Sequence, residues 1–391
     1  MTRFCMPYNG DQKIIDIVSS DYTDHVASFY GSVGSDPFGG GRALKNAQQQ
    51  TLGSLRRIIS HLDKKGIEFN YVINNTNMMN RECSHEYREQ FRQFLLELQS
   101  AGVRTVTLSN ISFIAFTKEV MPDWKISASV NLKTRTPEEV RFLVSLGCEE
   151  ITLYYSVLKD VKALKQIRAE TDIDLKLIPN DVHVMDCPWQ KGHTRMQGAH
   201  SRKKEFTTPY FSYYRNKCVS LRHVKPEEIL KAMWIPPDQL WRYEALGYDY
   251  FKLLDRLAST EWNIRALDTY IQAKPCNSLE RVLGTYGAAT TKETPETVAG
   301  DASPYPREKL EVIPSISSEK ASDTFSFFLD KKHPSPCGRC SVCSKAVDSI
   351  VEFSEEARMQ AIENNRLWRS TITKPSFIES LEGGSKRIQY E

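Results

Sequence analysis

"HLDKKGIEFNYVINN", residues 61–75, decides how this chain folds. Gly66 stands where a helix ends on a left-handed residue. The run behind it is aromatic and β-branched with apolar residues on both faces, as in a parallel strand covered on both sides, and it stops on polar residues. The same unit returns as "ELQSAGVRTVTLSN" (97–110), "LVSLGCEEITLYYS" (143–156) and "YEALGYDYFKLLDR" (243–256), with Gly102, Gly147 and Gly247 in the place of Gly66. Amphipathic helices lead into these strands; over 86–101, Phe91, Phe94, Leu95 and Leu98 share one face.

Further strands fit near 3–8, 26–31, 124–130 and 173–179, which with 67–73, 103–109, 149–154 and 249–254 makes eight. Eight βα units in residues 1–283 predict an α/β protein with a (β/α)8 TIM-like barrel rather than a doubly wound sheet. Neither GxGxxG nor GxxxxGK[ST] occurs, so a nucleotide fold has no support. In a barrel the chemistry lies at the C-terminal strand ends. The sequence puts Asn74, Asn75, Asn77, Ser109, Asn110, Asn131, Tyr155, Asn180, Asp181, Asp255 and Arg256 there. Such residues either line the mouth or cap the next helix. A long loop from about 180 to 247 follows strand seven and carries Cys187, His193, His200 and Cys218; a connection of that length is usually functional or disordered. The Thr-, Ser-, Glu- and Pro-rich stretch 284–323 reads as a linker, and 324–391 as a C-terminal cysteine-cluster and helical segment.

The chain has 391 residues, 26% charged and 40% hydrophobic, with a net charge of +3, so no global basic field calls for nucleic acid or an anionic membrane. A local basic run from Lys191 to Lys204 is either a solvated face or a recruiting patch for an anionic substrate. The first residues show no apolar signal core, and no stretch approaches the ~18 apolar residues of a membrane span. Nine unevenly spaced cysteines do not form a disulfide framework. A cytoplasmic protein with reduced thiols is the expectation.

"HPSPCGRCSVCSKAV" (333–347) places Cys337, Cys340 and Cys343 at successive x2 spacings, which bring three thiolates to one centre. Zinc sites more often combine two C-x2-C pairs or add histidines. Consecutive x2 spacings with a distant fourth cysteine, often before a proline, are the style of iron–sulfur ligation. Cys187, in "DCPWQ", and Cys218 are the candidates for completing a four-iron four-sulfur (4Fe–4S) cluster, with zinc as the alternative metal. Cys5, Cys83, Cys148 and Cys276 read as packing residues.

Four segments carry a resemblance: "GSVGSDPFGGGRAL" (31–44), "FNYVINNTNMMNRE" (69–82), "DCPWQKGHTRMQGAHS" (186–201) and "WIPPDQLWRYEALGYDYFKLLDRLASTEW" (234–262). They resemble peptidase family U32, the collagenase-like proteins, over roughly residues 1–275 plus the terminal cysteines. The resemblance implies a barrel, a four-cysteine iron–sulfur cluster and oxygen-independent hydroxylation of ubiquinone precursors or RNA bases; the peptidase label is older. Cys187 and Cys218 match the family's loop cysteines, His193 and His200 its "CP…H…H" stretch, and Lys252 and Arg256 its strand-eight "FK…R". Two positions depart from the pattern. A second cysteine that relatives carry before the Cys-Pro is replaced by Val182, His183 and Val184, and the small residue before the strand-eight arginine by Asp255.

From this follows the expectation of a redox-modifying enzyme acting on a small molecule, peptide or RNA, with an electron donor or a paired homologue as possible partner. Catalytic roles fall to His193, His200, Arg256, Asp255 and Tyr155. Substrate binding falls to Arg42, Asn75, Asn77, Asn110 and Lys252, with Gly39, Gly40 and Gly41 forming a tight loop that aims Arg42 at an anion. The alternatives are a hydrolase, for which G-x-S-x-G and H-E-x-x-H are both missing, and a binding protein in which the metal is a staple.

Overall fold

Eight parallel strands close on themselves in chain order: β1 (Arg3–Pro7), β2 (Val26–Gly31), β3 (Glu68–Ile73), β4 (Thr105–Leu108), β5 (Lys125–Ala128), β6 (Glu150–Thr152), β7 (Asp174–Leu177) and β8 (Tyr250–Lys252). The last pairs with the first, Phe4 opposite Phe251 and Cys5 opposite Lys252, which completes the barrel. The computed structural model describes residues 2–34, 36–41, 51–185, 187–202, 213–276, 278–284, 314–330, 340–356, 358–360, 362, 363 and 366. Arg42 and Cys337 lie outside the described residues, as does most of the expected linker.

Each expected strand is present, and the repeated glycines explain why. Gly66, Gly102, Gly147 and Gly247 have φ of 69°, 94°, 88° and 86°, so each helix turns back into a strand at the residue for which positive φ is cheapest. The helices α1 (Gln12–Asp21), α2 (Leu52–Asp63), α3 (His85–Ser100), α4 (Ile111–Val120), α5 (Pro137–Ser145) and α6 (Val161–Arg168) follow β1 to β6. Their apolar faces, among them Ile14, Leu62, Phe91 and Leu98, form one continuous hydrophobic layer around the sheet.

The connection after β7 is long, as expected, running from Leu177 to Tyr250. Its described residues include short helices: α7 (Gln190–Ala199), α8 (Tyr213–Val224), α9 (Glu227–Lys231) and α10 (Leu240–Glu244). The α7 sequence "QKGHTRMQGA" has no sustained apolar stripe, so nothing in its pattern signals a helix; tertiary contacts hold it instead. After β8 comes α11 (Thr260–Gln272).

The barrel interior is polar. Glu150, fully buried, pairs with Lys176 of β7, lies 3.1 Å from Lys125 of β5 and accepts from Asn70 of β3 at 3.3 Å. Burial alone would raise this carboxyl, but Lys176 and Lys125 overrule it and bring it down to about 2. At the rim of this floor Arg3 bridges Asp174 and Asp249 at 2.9 and 3.0 Å. Barrel centres are usually filled by Val, Ile and Leu; here an ionic network takes their place.

The C-terminal segment is part of the same body. A two-stranded antiparallel sheet, β9 (Ser315–Ile316) with β10 (Val351–Glu352), is flanked by α12 (Ser318–Asp330) and α13 (Val342–Ile350). Phe325, Phe328, Val347 and Ile350 join the barrel's hydrophobic layer. The attachment lies at the C-terminal ends of the strands: Gly284 N–H donates to the Asn180 carbonyl at 2.7 Å, and Ile316 N–H to Glu280 at 2.9 Å. β9 and the first turns of α12 fall inside the stretch expected to be linker. Cys5 and Cys148 are core residues as expected and Cys276 is half-buried, but Cys83 is exposed, because it ends the short surface turn Arg81–Cys83 rather than entering a strand.

Candidate active site at the barrel mouth

The mouth is roofed by α7. At its first turn, Gln190 donates to the Tyr155 hydroxyl at 2.5 Å and bonds the Tyr154 hydroxyl, both just beyond β6. At its far end the helix presses on the opposite wall. A Cβ on Gly198 would meet Asn75 Oδ1 at 2.5 Å, and one on Gly39 would meet Ser201 Oγ at 2.3 Å. Ten helical residues span about 15 Å, enough to cross from β6 to the loops after β2 and β3. Both glycines are there because the roof and the wall leave no room for a side chain.

The loop after β2 is tight, as expected from "DPFGGGR". Gly39 and Gly41 have φ of 91° and 74°. Asp36, buried, accepts from the backbone N–H groups of Phe38 and Gly39 at 2.7 and 2.9 Å and from the Tyr71 hydroxyl at 3.0 Å. Burial raises its carboxyl to about 6, against those three donors. Arg256, from the β8 end, donates to Gly40 O at 2.9 Å and Ser32 Oγ at 3.3 Å. It therefore clamps this loop as well as charging the mouth.

The asparagines hold loops. Asn110 caps α4 through Phe113 N–H at 3.1 Å and donates to Glu82 at 3.0 Å. Asn75 donates to Phe38 O and accepts from Asn77 N–H, and Asn77 accepts from Met79 N–H. Asn180 clamps Leu254 from both sides, accepting from its N–H at 2.9 Å and donating to its carbonyl at 2.8 Å. Asp255 accepts from Leu257 N–H at 3.1 Å.

On the β6–β7 side a chain of polar groups meets the thiols. Tyr154 and Tyr155 share a hydroxyl–hydroxyl bond of 2.9 Å. The His183 ring stacks on Tyr155 at 5.8 Å, and its Nδ1 pairs with the buried Asp181. Burial would raise Asp181, but the His183 contact wins and lowers it. Cys187 precedes α7 and Cys218 sits on α8; both are half-buried and close enough for each to act on the other's charge. Burial raises the Cys187 thiol, while the backbone N–H groups of Trp189 and Gln190 donate to it and pull the other way. Such amide-to-sulfur bonds suit a thiolate ligand. Among the described residues no group of three or more His, Cys, Asp and Glu converges as a metal site. The donor chemistry of Cys187 and Cys218 fits a thiolate-bound metal. Cys340 is half-buried and Cys343 buried at the start of α13. His193 stacks on Tyr214 of α8 at 5.9 Å, and His200 caps the other end of α7.

Lys252, the last residue of β8, is buried at the mouth. Its Nζ sits 4.0 Å from the centre of the Tyr30 ring, and the Arg256 guanidinium lies 5.9 Å from the same ring. Sequence reasoning missed Gln190, Tyr154, Asp36 and the Asp181–His183 pairing. Lys252 was among the expected residues; Lys176 and Glu150 were not, although each is likewise a charge inside a strand whose neighbours read as buried on both faces.

Residues 33–187 match the family model described as Peptidase family U32, a range that runs from the β2 loop to Cys187. An uncharacterized protease of Methanocaldococcus jannaschii is 24% identical over 229 residues, covering 59% of this chain and 68% of the relative. Among solved structures, a U32 peptidase covers 65% of this chain and 93% of its own, at 16% identity and a TM-score of 0.48. Thiamine phosphate pyrophosphorylase from Pyrococcus furiosus covers 72% and 98%, at 11% identity and a TM-score of 0.35. At those scores neither structure carries an argument about chemistry. No helix among the described residues is long and apolar enough to cross a membrane.

Proposed function

We propose, from the match of residues 33–187 to the model of peptidase family U32 and the likeness to an uncharacterized protease, that this is an iron–sulfur-dependent modifying enzyme. Its reaction is an oxygen-independent hydroxylation or related redox step on a small molecule, peptide or RNA, run beneath α7. The observation that carries the reading is the pair of half-buried thiols, Cys187 and Cys218, set within electrostatic reach of each other with two backbone amides aimed at Cys187. A 4Fe–4S cluster would need two of Cys337, Cys340 and Cys343 to join this pair, and among the described residues no third such ligand converges with it; when bound, such a group supplies single-electron chemistry. The protein's own residues do the rest. The α7 roof keeps water from the mouth. Arg256 and Lys252 draw an anionic substrate inward. His193 and His200, about 10 Å apart along α7, hold or move protons near neutral pH. The Tyr154–Gln190–Tyr155 chain offers hydroxyl donors beside the thiols.

A hydrolase would need an activated nucleophile. The Asp181–His183 pair resembles the orienting half of one, but its ring lies on Tyr155. Burial raises both the Tyr155 hydroxyl and the Cys187 thiol, the opposite of activation. Purification without air tests the reading. Brown protein is expected, with Cys187→Ala and Cys218→Ala bleaching the visible absorption and His193→Ala and His200→Ala preserving it. Colourless protein carrying stoichiometric zinc contradicts it.

A further inference from the structure

Among the described residues, the buried and half-buried lysines of the barrel strands and the β6 loop have partners, with one exception. Lys176 is paired with Glu150, and Lys159 donates to the Leu230 and Ala232 carbonyls at 2.7 and 2.9 Å. Lys125 faces Glu150, Asp174 and Glu68 within 3.7 Å. Lys252 is 8% exposed, yet no hydrogen bond or ion pair reaches its Nζ among the described residues; only the face of Tyr30 does. An ammonium placed there for architecture would have been given a carboxylate or carbonyls, since an unpaired buried charge costs several kcal/mol. Lys252 instead stands at the C-terminal end of a barrel strand, where TIM-type barrels keep their reacting groups. It is desolvated and near two other cations, the two conditions that turn a lysine into a nucleophile.

We propose that Lys252 is a nucleophilic amine that forms a Schiff base with the carbonyl carbon of a small 2-oxo acid, whose carboxylate is drawn in by the charge of Arg256. The uncharged amine adds its lone pair to the carbonyl carbon and gives a carbinolamine. Loss of the former carbonyl oxygen as water, with one proton taken up from the medium, leaves the protonated imine; nothing is oxidised or reduced. The iminium then withdraws electrons from the neighbouring carbon. Burial, together with the charges of Lys176 and Arg256, pushes the Lys252 pKa down to about 8 against the opposing pull of Cys5 and Glu150, so a useful fraction is uncharged near neutrality. The Tyr30 face supports the iminium cation after it forms, as it supports the ammonium before.

The inference needs no metal and stands apart from the iron–sulfur reading. The full chain is incubated with pyruvate, reduced with sodium borohydride, digested and mapped by mass spectrometry. A carboxyethyl group is expected on Lys252 ahead of every other lysine, with labelling that rises through pH about 8, and is expected to vanish from that peptide in Lys252→Arg. Labelling of exposed Lys162 and Lys165 with Lys252 untouched overturns the proposal. So does saturable pyruvate binding, read by calorimetry, that leaves no adduct at Lys252, because that is the behaviour of a fixed cation. Colourless protein that traps pyruvate on Lys252 would remove the iron–sulfur reading and leave this one standing.

Discussion

The floor of the barrel and its mouth are both polar, but they treat charge in opposite ways. On the floor Arg3, Lys125 and Lys176 each meet a carboxylate. Glu150 is held at about 2 by two lysines despite complete burial. At the mouth Asp181 is paired with His183, but Asp36 is held by two backbone amides and a phenol, and Lys252 by an aromatic face. Matched buried charges fix a structure, because breaking either partner strands the other. Unmatched ones keep perturbed protonation and are where function concentrates. The same eight strands thus carry an ionic frame at one end and, at the other, two buried charges with shifted protonation.

The sharpest way to break this comparison is to remove one charge from each end. Glu150→Ala strands Lys176 and is expected to cost about 3–5 kcal/mol in urea unfolding. Lys252→Met removes an unmatched cation and is expected to cost nothing, with a gain on the order of 1 kcal/mol at neutral pH. The sign follows from linkage: the Lys252 pKa is depressed from 10.5 to about 8, so the fold carries a cost below about 8 that is relieved as pH climbs towards 10.5. Lys252→Met should flatten that part of the stability profile. Equal losses from both substitutions would end the distinction.

A smaller effect is expected from the glycine loop that Arg256 clamps. Gly41→Ala would need an unfavourable φ of +74° and put a Cβ 2.8 Å from the Asn74 carbonyl oxygen. A loss of about 2–3 kcal/mol is expected from the strain and the close contact together, read as a lower urea midpoint. Next comes Asp36. Its pKa is raised from 3.8 to about 6, so the stability it contributes is complete below 3.8 and is lost as pH rises through about 6. Asp36→Asn should erase that slope, a change on the order of 1–3 kcal/mol between the two ends. The smallest effect is that of Tyr155→Phe, which deletes the hydroxyl between Tyr154 and Gln190 at a cost of about 1 kcal/mol by thermal unfolding.

The barrel was legible because its signals are local. A glycine, a run of buried residues and a polar tip occupy about a dozen consecutive positions, and Gly66, Gly102, Gly147 and Gly247 each adopt the conformation their place implied. The floor was not legible in the same way. Glu150, Lys125, Lys176 and Asn70 come from four strands, and a sequence does not say which strands face one another until the barrel closes. The roof was hidden for a different reason: α7 has weak periodicity and owes its place to Gln190 at one end and Gly198 at the other. Asn75, Asn77 and Asn110 illustrate the ambiguity of strand-end asparagines, since the structure gives all three to caps and loop clamps.

One measurement compares the two ends in a single sample. Competitive acetylation of the folded chain across pH, with each lysine read by mass spectrometry, gives the titration of Lys252 and Lys176 side by side. The account predicts that Lys252 becomes reactive with a midpoint near about 8, while Lys176, whose pKa is raised, stays unreactive as long as the barrel is folded. Lys252 titrating at or above the ordinary 10.5, or the two lysines reacting together, would contradict it.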